Sequence, residues 1–549
     1  MSELDPYEIG TGEQRAFWAD AVADSIEERE PTEPIVVKGG VSPSGVPHIG
    51  HFNEIMRGYF VAEALRDRGY EVTQVFTSDD KDRLRKMPRR LADLDWNVVE
   101  LGDIDAGVLG QNLGKPYSEI PDPFECCDSY GAHFTELLAR SAAMVGVPIK
   151  IVSNTKMYAA GKFDAAISTV LSQQDTARDL LSEFQEKIDD GYVPFFPQCA
   201  NCGLLTETVT EVNLEDQTIA YECASVDTGD IQLDGCGYRG TASFKEGKLP
   251  WRFEWPAQWD LLDVDFEPFG KDHAEGSWPS GQRIAQDIFG IEPPVPMVYE
   301  WFTLDGSALS SSSGNIITVH EVLELLEVEV FRYFFTKNPK KQRDFDIGTL
   351  DRLTDEFDHM ERIYYDIEDE STISPIDTRR AKRVYPMVTD PTVNKPERIP
   401  YRFAAVLGMT ADRDLQIQMA QRSGHLSPDA ADETIDTALA RIQYARTWAE
   451  ETDNEFNYRL AEECPPVSIP SDMASALDEL ASSIKASDPT GDELQSEIYE
   501  VARKHDIPVG DFFETGYQLF LNEPDGPRLG PFLAALDTAF VVERLRRDA

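Results

Sequence analysis

Two histidines three residues apart, His48 and His51, open an apolar-periodic stretch directly after a glycine-rich turn. On a helix that spacing sets both imidazoles on one face, where both can donate hydrogen bonds to one anionic group. The elements that must hold them are legible on either side. Ile35, Val36 and Val37 read as a buried strand, and Gly39, Gly40, Pro43, Ser44 and Gly45 as the turn that follows. Ile49, Phe52, Ile55, Met56, Tyr59, Phe60 and Leu65 then repeat at helical spacing. Unpaired backbone N–H groups and the positive dipole end of such a helix start favour phosphate, while Gly50 lets an adenine ring approach the helix surface. The combination predicts a nucleotide triphosphate site.

A second chemistry is written in the cysteines. Four of the seven fall at Cys199, Cys202, Cys223 and Cys236. A two-residue gap turns both thiolates of one knuckle toward a single tetrahedral ion, and two returning cysteines complete a structural zinc site. Cys126, Cys127 and Cys464 lack matching partners, and the adjacent pair Cys126 and Cys127 is expected not to chelate one ion.

Acidic residues number 100 against 51 basic ones, for a net charge of −49 over 549 residues. The acids are spread along the chain and alternate with hydrophobic segments, which make up 41% of it, so disorder is a poor explanation. Such a shell suits very high salt, where the Debye length falls to a few ångströms and self-repulsion is screened. Basic residues gather at Lys81, Arg83, Arg85, Lys86, Arg89 and Arg90, and again at Lys337, Lys340, Lys341 and Arg343. These two groups are candidate phosphate-contact surfaces; a third, Arg379 to Arg383, reads as solvated surface. No apolar run approaches about 18 residues, and the acidic first 30 residues carry no leader pattern, so a cytoplasmic protein with no membrane partner is expected.

The pattern from Glu71 to Phe76 alternates as a second strand and ends in Thr77-Ser78-Asp79-Asp80. Strand, helix and strand make half of a doubly wound parallel sheet, whose ligands bind at the carboxyl ends of the strands. Asp79 and Asp80 stand there as candidates for a cationic substrate group. The stretch from about 100 to 245 reads as an interruption of the sheet by helices and the cysteine module; strands resume near Phe266 and Val298, and from about 346 the pattern is nearly all helical. The fold class expected is α/β, a doubly wound sheet with an inserted helical and zinc module and an all-α C-terminal domain.

His48-Ile49-Gly50-His51 resembles the nucleotide-binding motif of class I aminoacyl-tRNA synthetases. Leu309-Ser310-Ser311-Ser312-Ser313-Gly314-Asn315 resembles their mobile catalytic loop, with Ala308 and Ser311 or Ser313 where lysines usually stand. Further segments are similar to the class I lysyl-tRNA synthetases of archaea and some bacteria: Thr77 to Pro88, Ser118 to Phe124, Glu254-Trp255-Pro256, Phe266 to His273, Tyr299-Glu300, and Gly526 to Gly530. The resemblance runs essentially end to end.

It implies ATP- and Mg2+-dependent activation of L-lysine and its transfer to tRNA-Lys. By its pattern, His48, His51, Ser310, Ser311 and Ser312 are catalytic, and Pro43, Ser44, Gly50, Gly270, Asp272, His273, Gly314 and Asn315 hold the nucleotide. Gly40, Ser42, Trp255 and Trp259, with His273, would line the lysine pocket, and Asp79 or Asp80 is assigned to a lysine amine from charge. Lys271 is expected to help stabilise phosphate charge. The implied domains are 1–100 (first half of the catalytic sheet), 101–245 (acceptor-end insertion with the zinc module at 199–236), 246–300 (second half), 301–345 (catalytic loop and stem contact) and 346–549 (anticodon binding). A monomer is expected. Arg528, Lys504 and the surface from Arg544 to Arg547 are candidate RNA contacts. Two other readings stay open: a synthetase for glutamate or arginine, and a tRNA-binding paralogue without full catalysis.

Overall fold

The computed structural model describes residues 16–103, 106–185, 188, 191–228, 231–309, 315–369, 371, 373–392, 395–461, 463–487 and 489–547. It forms two compact units, Met1–Glu321 with Arg332–Phe345, and Val322–Phe331 with Asp346–Ala549.

The first unit is built on five parallel strands: β1 (Ile35–Val41), β2 (Val72–Ser78), β3 (Lys150–Ser153), β4 (Val264–Gly270) and β5 (Val295–Tyr299). Their spatial order is β5-β4-β1-β2-β3. Branched and aromatic residues fill β1 and β2 because helices cover both faces of such a sheet. The order reverses between β1 and β4, and at such a reversal a crevice opens beyond the strand ends. α1 (Trp18–Glu27) and α2 (Ile49–Arg66) pack beside this point, and α2 buries residues on nearly every side, including Phe52, Ile55, Met56 and Phe60. β3 corrects the expectation that 101–245 only interrupts the sheet. It is a four-residue edge strand, too short to show a period, yet it pairs in parallel with β2 from Val75–Lys150 to Ser78–Ser153.

Beyond β3 two helices, Asp164–Ser172 and Gln174–Ser182, are parted at Gln173. The cysteine module carries a three-stranded antiparallel sheet of Val209–Asn213, Thr218–Glu222 and Arg239–Ser243. α3 (Trp251–Leu262) follows it and leads into β4.

The second unit is helical throughout its described residues, with its longest helix at Asp432–Thr452. Near its end the chain forms two helices, Leu529–Ala535 and Thr538–Arg546, because Asp537 accepts from the Phe540 N–H at 2.9 Å and starts a new helix. Three RNA-contact candidates are engaged inside the unit. Arg544 is buried and donates to the carbonyls of Ala461, Glu463 and Leu519, whereas Lys504 pairs with Glu479 at 2.6 Å and Arg528 with Asp492 at 3.1 Å.

Candidate active site

A cavity of about 620 Å³ opens where β1 and β4 end, lined by Gly40, Ser42, Gly270, Asp272 and His273 and by the start of α2. His48 is the residue before α2, and its Nδ1 accepts from the Gly50 N–H at 3.1 Å. His51 Nδ1 accepts from the His48 N–H, also at 3.1 Å. With both Nδ1 atoms accepting, the proton of each neutral ring sits on Nε2. The rings lie 4.0 Å apart, and burial lowers both pKa values, His51 to about 4 and His48 well below its usual range, with His51 adding to the burial effect on His48. Both are therefore uncharged donors at neutral pH.

This corrects one sequence expectation. The backbone N–H groups that open the helix are not free for phosphate, since Ile49 N donates to Ile317 O, Gly50 N to His48 and His51 N to the His48 carbonyl. The imidazoles take over the donor role. Gly50 is needed for a further reason, because a Cβ there would stand 2.7 Å from the His48 ring.

The floor of the cavity is rich in carboxylates. Glu267 accepts from Lys38 at 2.6 Å and from the indoles of Trp255 and Trp259 at 2.8 and 2.5 Å. Trp255 reaches the cavity wall, whereas Trp259 is buried in the cluster with Phe269 and Trp278 and is not among the lining residues. Glu54 accepts from the Gly40 N–H at 2.6 Å and the Tyr299 hydroxyl at 3.1 Å, and burial with Glu267 nearby raises its pKa to about 8. A Cβ on Gly40 would meet Thr77 Oγ1 at 2.3 Å, so this strand end requires glycine. Asp79 accepts only from the amides of Asn154 and Gln258, at 2.8 and 3.2 Å, and burial beside Asp82 and Glu254 raises its pKa to about 7. Asp80 does not line the cavity; it accepts from the Thr155 N–H at 2.7 Å and from Ser153, capping the short helix Asn154–Ala159. Ser42 donates to Asp82 at 2.8 Å, and Asp82 is paired with Lys248, which also holds Glu254 at 2.9 Å.

Asp272 Oδ1 accepts from Trp301 Nε1 at 3.4 Å, and His273 stacks on Trp251 with centroids 5.1 Å apart. Gly270 leaves room for this carboxylate, since a Cβ would lie 2.5 Å from Asp272 Oδ1. Lys271 pairs with Glu300 at 2.5 Å and does not line the cavity, which removes it as the expected phosphate cation. Pro43 and Ser44 lie in the turn outside the lining, where Tyr130 donates to the Ser44 carbonyl at 2.8 Å. Ser310, Ser311, Ser312 and Gly314 lie outside the described residues. Asn315 donates to the Ala308 carbonyl at 2.9 Å and so closes the base of that loop, while Ala308 and Leu309 line the cavity. Sequence reading missed Lys38, Glu54, Glu267 and Trp301. A glutamate six residues into an apolar helix, as Glu54 is, was the available signal.

Two clusters bring possible metal-ligating atoms together. The sulfurs of Cys199 and Cys236 are 3.7 Å apart, those of Cys202 and Cys223 3.6 Å, and all four lie within 4.8 Å of one another. A tetrahedron with Zn–S bonds of about 2.3 Å has edges of about 3.8 Å, so the cluster fits zinc. Asp122, Cys126, Cys127 and His133 meet the same 4.8 Å criterion. His133 Nε2 is 2.8 Å from the Ala92 carbonyl, which can only accept, so Nδ1 of the neutral ring turns its lone pair toward Asp122 Oδ1 and Cys126 Sγ, each at 3.3 Å. The Cys126 and Cys127 sulfurs are 3.9 Å apart, near enough for both to reach one ion although the two residues are neighbours in sequence. The Asp122 carboxylate folds the chain back by accepting from the N–H groups of Phe124, Cys126 and Cys127.

A family model described as tRNA synthetases class I (K) matches residues 16–389. A protein named lysine--tRNA ligase from Natronomonas pharaonis is 66% identical over 549 residues, covering 100% of both chains. The chain belongs to the class I lysyl-tRNA synthetases. A lysine--tRNA ligase of Haloarcula marismortui is 61% identical with 99% of each chain covered, and one of Pyrococcus horikoshii is 31% identical over 97% of this chain and 99% of its own. Class I synthetases use ATP and Mg2+. Among the described residues, no helix is long and apolar enough to cross a membrane.

Proposed function

We propose that the chain joins L-lysine to tRNA-Lys through lysyl-adenylate, releasing AMP and diphosphate. The observation that carries this reading is the pairing, in one cavity, of two neutral imidazole donors with two carboxylates, the buried Asp79 and the half-buried Glu54, that have no cationic partner within ion-pair distance among the described residues. Lysine brings two ammonium groups, and Asp79 and Glu54 are the carboxylates free to receive them. Glutamate fits less well: the cavity's one lysine, Lys38, is bound to Glu267, which leaves no cation for a substrate side-chain carboxylate.

The lysine carboxylate attacks the α-phosphorus in line, and the bond to diphosphate breaks. No covalent enzyme intermediate is needed, so the protein's task is to position the reactants and stabilise charge. His48 and His51 donate from Nε2 to the phosphate oxygens, where negative charge grows. Neutral donors suit a site that must bind ATP as its Mg2+ complex and then release diphosphate. Asp272 faces the ribose hydroxyls, and the half-exposed Trp301 ring offers the base an apolar platform. Ser310, Ser311 and Ser312 add loop hydroxyls in place of the usual ammonium groups. Cys199, Cys202, Cys223 and Cys236 hold one structural zinc ion, and Asp122, Cys126, Cys127 and His133 a second. Residues 346–549 read the anticodon.

Charging of tRNA with lysine, glutamate and arginine in molar KCl tests the reading. Lysine alone is expected to be attached, and absence of charging with all three overturns it. Replacing His48 with alanine removes one donor to the developing charge and is expected to lower kcat by about 100-fold.

A further inference from the structure

Lys38 and Glu267 answer each other at the cavity floor. Lys38 stands on β1 and Glu267 on the neighbouring strand β4, and both line the cavity. Their side chains are 2% and 3% exposed and pair at 2.6 Å. Lys38 follows Ile35, Val36 and Val37 in the strand, and an ammonium buried there needs a partner charge with good geometry.

Glu267 in turn is held from three sides. Its Oε1 accepts from the Lys38 ammonium and from the Trp255 indole at 2.8 Å, and its Oε2 from the Trp259 indole at 2.5 Å. Trp255 and Trp259 lie one turn apart on α3, so one helix face delivers both indoles. Of the roughly four lone-pair positions of a carboxylate, chain donors thus fill three. The Lys38 charge also reaches the other carboxylates of the floor, where it favours the ionised forms of Glu54 and Asp79. Only those two are left for a ligand.

Lysine and arginine both bring two cationic groups, so a count of charges does not separate them. Their donors do. An ammonium is a compact charge with three donors, whereas a guanidinium spreads five N–H groups over a plane and pairs best with a carboxylate that offers both oxygens side by side. Glu54 already accepts from Gly40 on Oε1 and from Tyr299 on Oε2, and Asp79 Oδ1 accepts from two amides. An arginine head at this floor needs further acceptors, and Glu267 is the carboxylate there that remains. We propose that Lys38 is a specificity-determining residue: by holding Glu267 and fixing a positive charge at the floor, it denies a guanidinium its acceptors and keeps arginine out of a site that takes lysine. The inference rests on the ligase reading above.

The test is the ratio of kcat/KM for lysine to that for arginine when the full chain charges tRNA-Lys in molar KCl. Lys38→Met keeps the side chain long and removes the ammonium. It frees Glu267 and is expected to lower the ratio about 10- to 100-fold, chiefly through the KM for arginine. Lys38→Gln keeps a donor for Glu267 without the charge, so it holds the fold if the methionine does not, and it should lower the ratio in the same direction by less. When Lys38→Met is combined with Glu267→Gln the freed carboxylate is gone, and the ratio is expected to return toward its wild-type value. A cavity that had merely loosened would not show that recovery. An unchanged ratio in a folded Lys38→Met or Lys38→Gln chain overturns the proposal, and so does a double variant that charges arginine as readily as Lys38→Met alone. Failure of the wild type to charge tRNA-Lys with lysine is a separate outcome, and it overturns the ligase reading instead.

Discussion

In the helical unit, buried carboxylates meet guanidinium groups; at the reaction cavity, two of them meet only neutral donors. Arg441 is 3% exposed and clasps Asp358 through two bonds of 2.6 and 3.0 Å, with Glu327 on its Nε. Arg398 likewise bridges Glu361 and Glu329, at 2.8 and 3.0 Å. Each of these charges is answered inside the fold. Glu54 and Asp79 are held by backbone, hydroxyl and amide groups instead, and desolvation together with neighbouring carboxylates raises their pKa values. Burial alone does not mark a functional carboxylate, since both regions bury theirs. What separates the regions is whether the compensating charge comes from the chain or from a ligand.

The Asp122 cluster falls on the ligand side of this division. Asp122 Oδ1 and Cys126 Sγ each lie 3.3 Å from His133 Nδ1, and the Cys126 thiol donates to Asp122 Oδ2 at 3.3 Å, so a bound ion would replace that thiol proton. Elemental analysis of the purified chain is expected to return two zinc ions, and His133→Ala one. Chelation of both should give the largest destabilisation of any change considered, because structural zinc carries folding free energy directly. A count of one in the wild type would move this cluster to the internally satisfied class.

The internally answered charges respond differently. Arg441→Met leaves Asp358 and Glu327 buried without a partner and is expected to destabilise the helical unit by about 3–5 kcal/mol in chemical denaturation. The KM for lysine should stay at its wild-type value. A change in that KM would mean that the network belongs to substrate binding after all.

At the cavity the pattern reverses. Glu54→Gln keeps the acceptor for Gly40 and removes the charge, so stability should change little while the KM for lysine rises about 10- to 100-fold. The KM for ATP is the internal control. Equal rises in both would assign Glu54 to general cavity structure rather than to the ammonium.

How far the sequence announced these features depends on whether chemistry and chain order coincide. His48, Gly50 and His51 are contiguous and sit on a strand–turn–helix with strong apolar periodicity, so site and scaffold were legible together. Cys199 and Cys202 declared themselves by a two-residue gap. Asp122 and His133 did not, because the turn that joins them to Cys126 and Cys127 is made by hydrogen bonds to the Asp122 side chain, which have no spacing rule. Asp79 and Asp80 looked equivalent at a strand end, and only the partners separate them, amides for one and a helix cap for the other. β3 was hidden by its four-residue length, and Glu54 by its place inside an apolar helix.

The smallest effect tests the same distinction without mutation. A carboxyl with a raised pKa in the free protein must lose its proton before it can hold an ammonium. At pH 6.5 Asp79, near 7, is mostly protonated and Glu54, near 8, almost wholly so, and both are largely ionised at pH 9. The KM for lysine is therefore expected to fall as pH rises across that interval, before the side-chain ammonium titrates at about 10.4. Binding at pH 7 should release protons to buffer, measurable by calorimetry in two buffers of different ionisation enthalpy. Glu54→Gln should flatten the upper part of the profile and Asp79→Asn the lower. His48 and His51, with pKa values lowered by burial, stay neutral throughout and cannot produce the trend. A KM that is constant from pH 6.5 to 9 would place ionised, already answered carboxylates in the cavity and erase its difference from the helical unit.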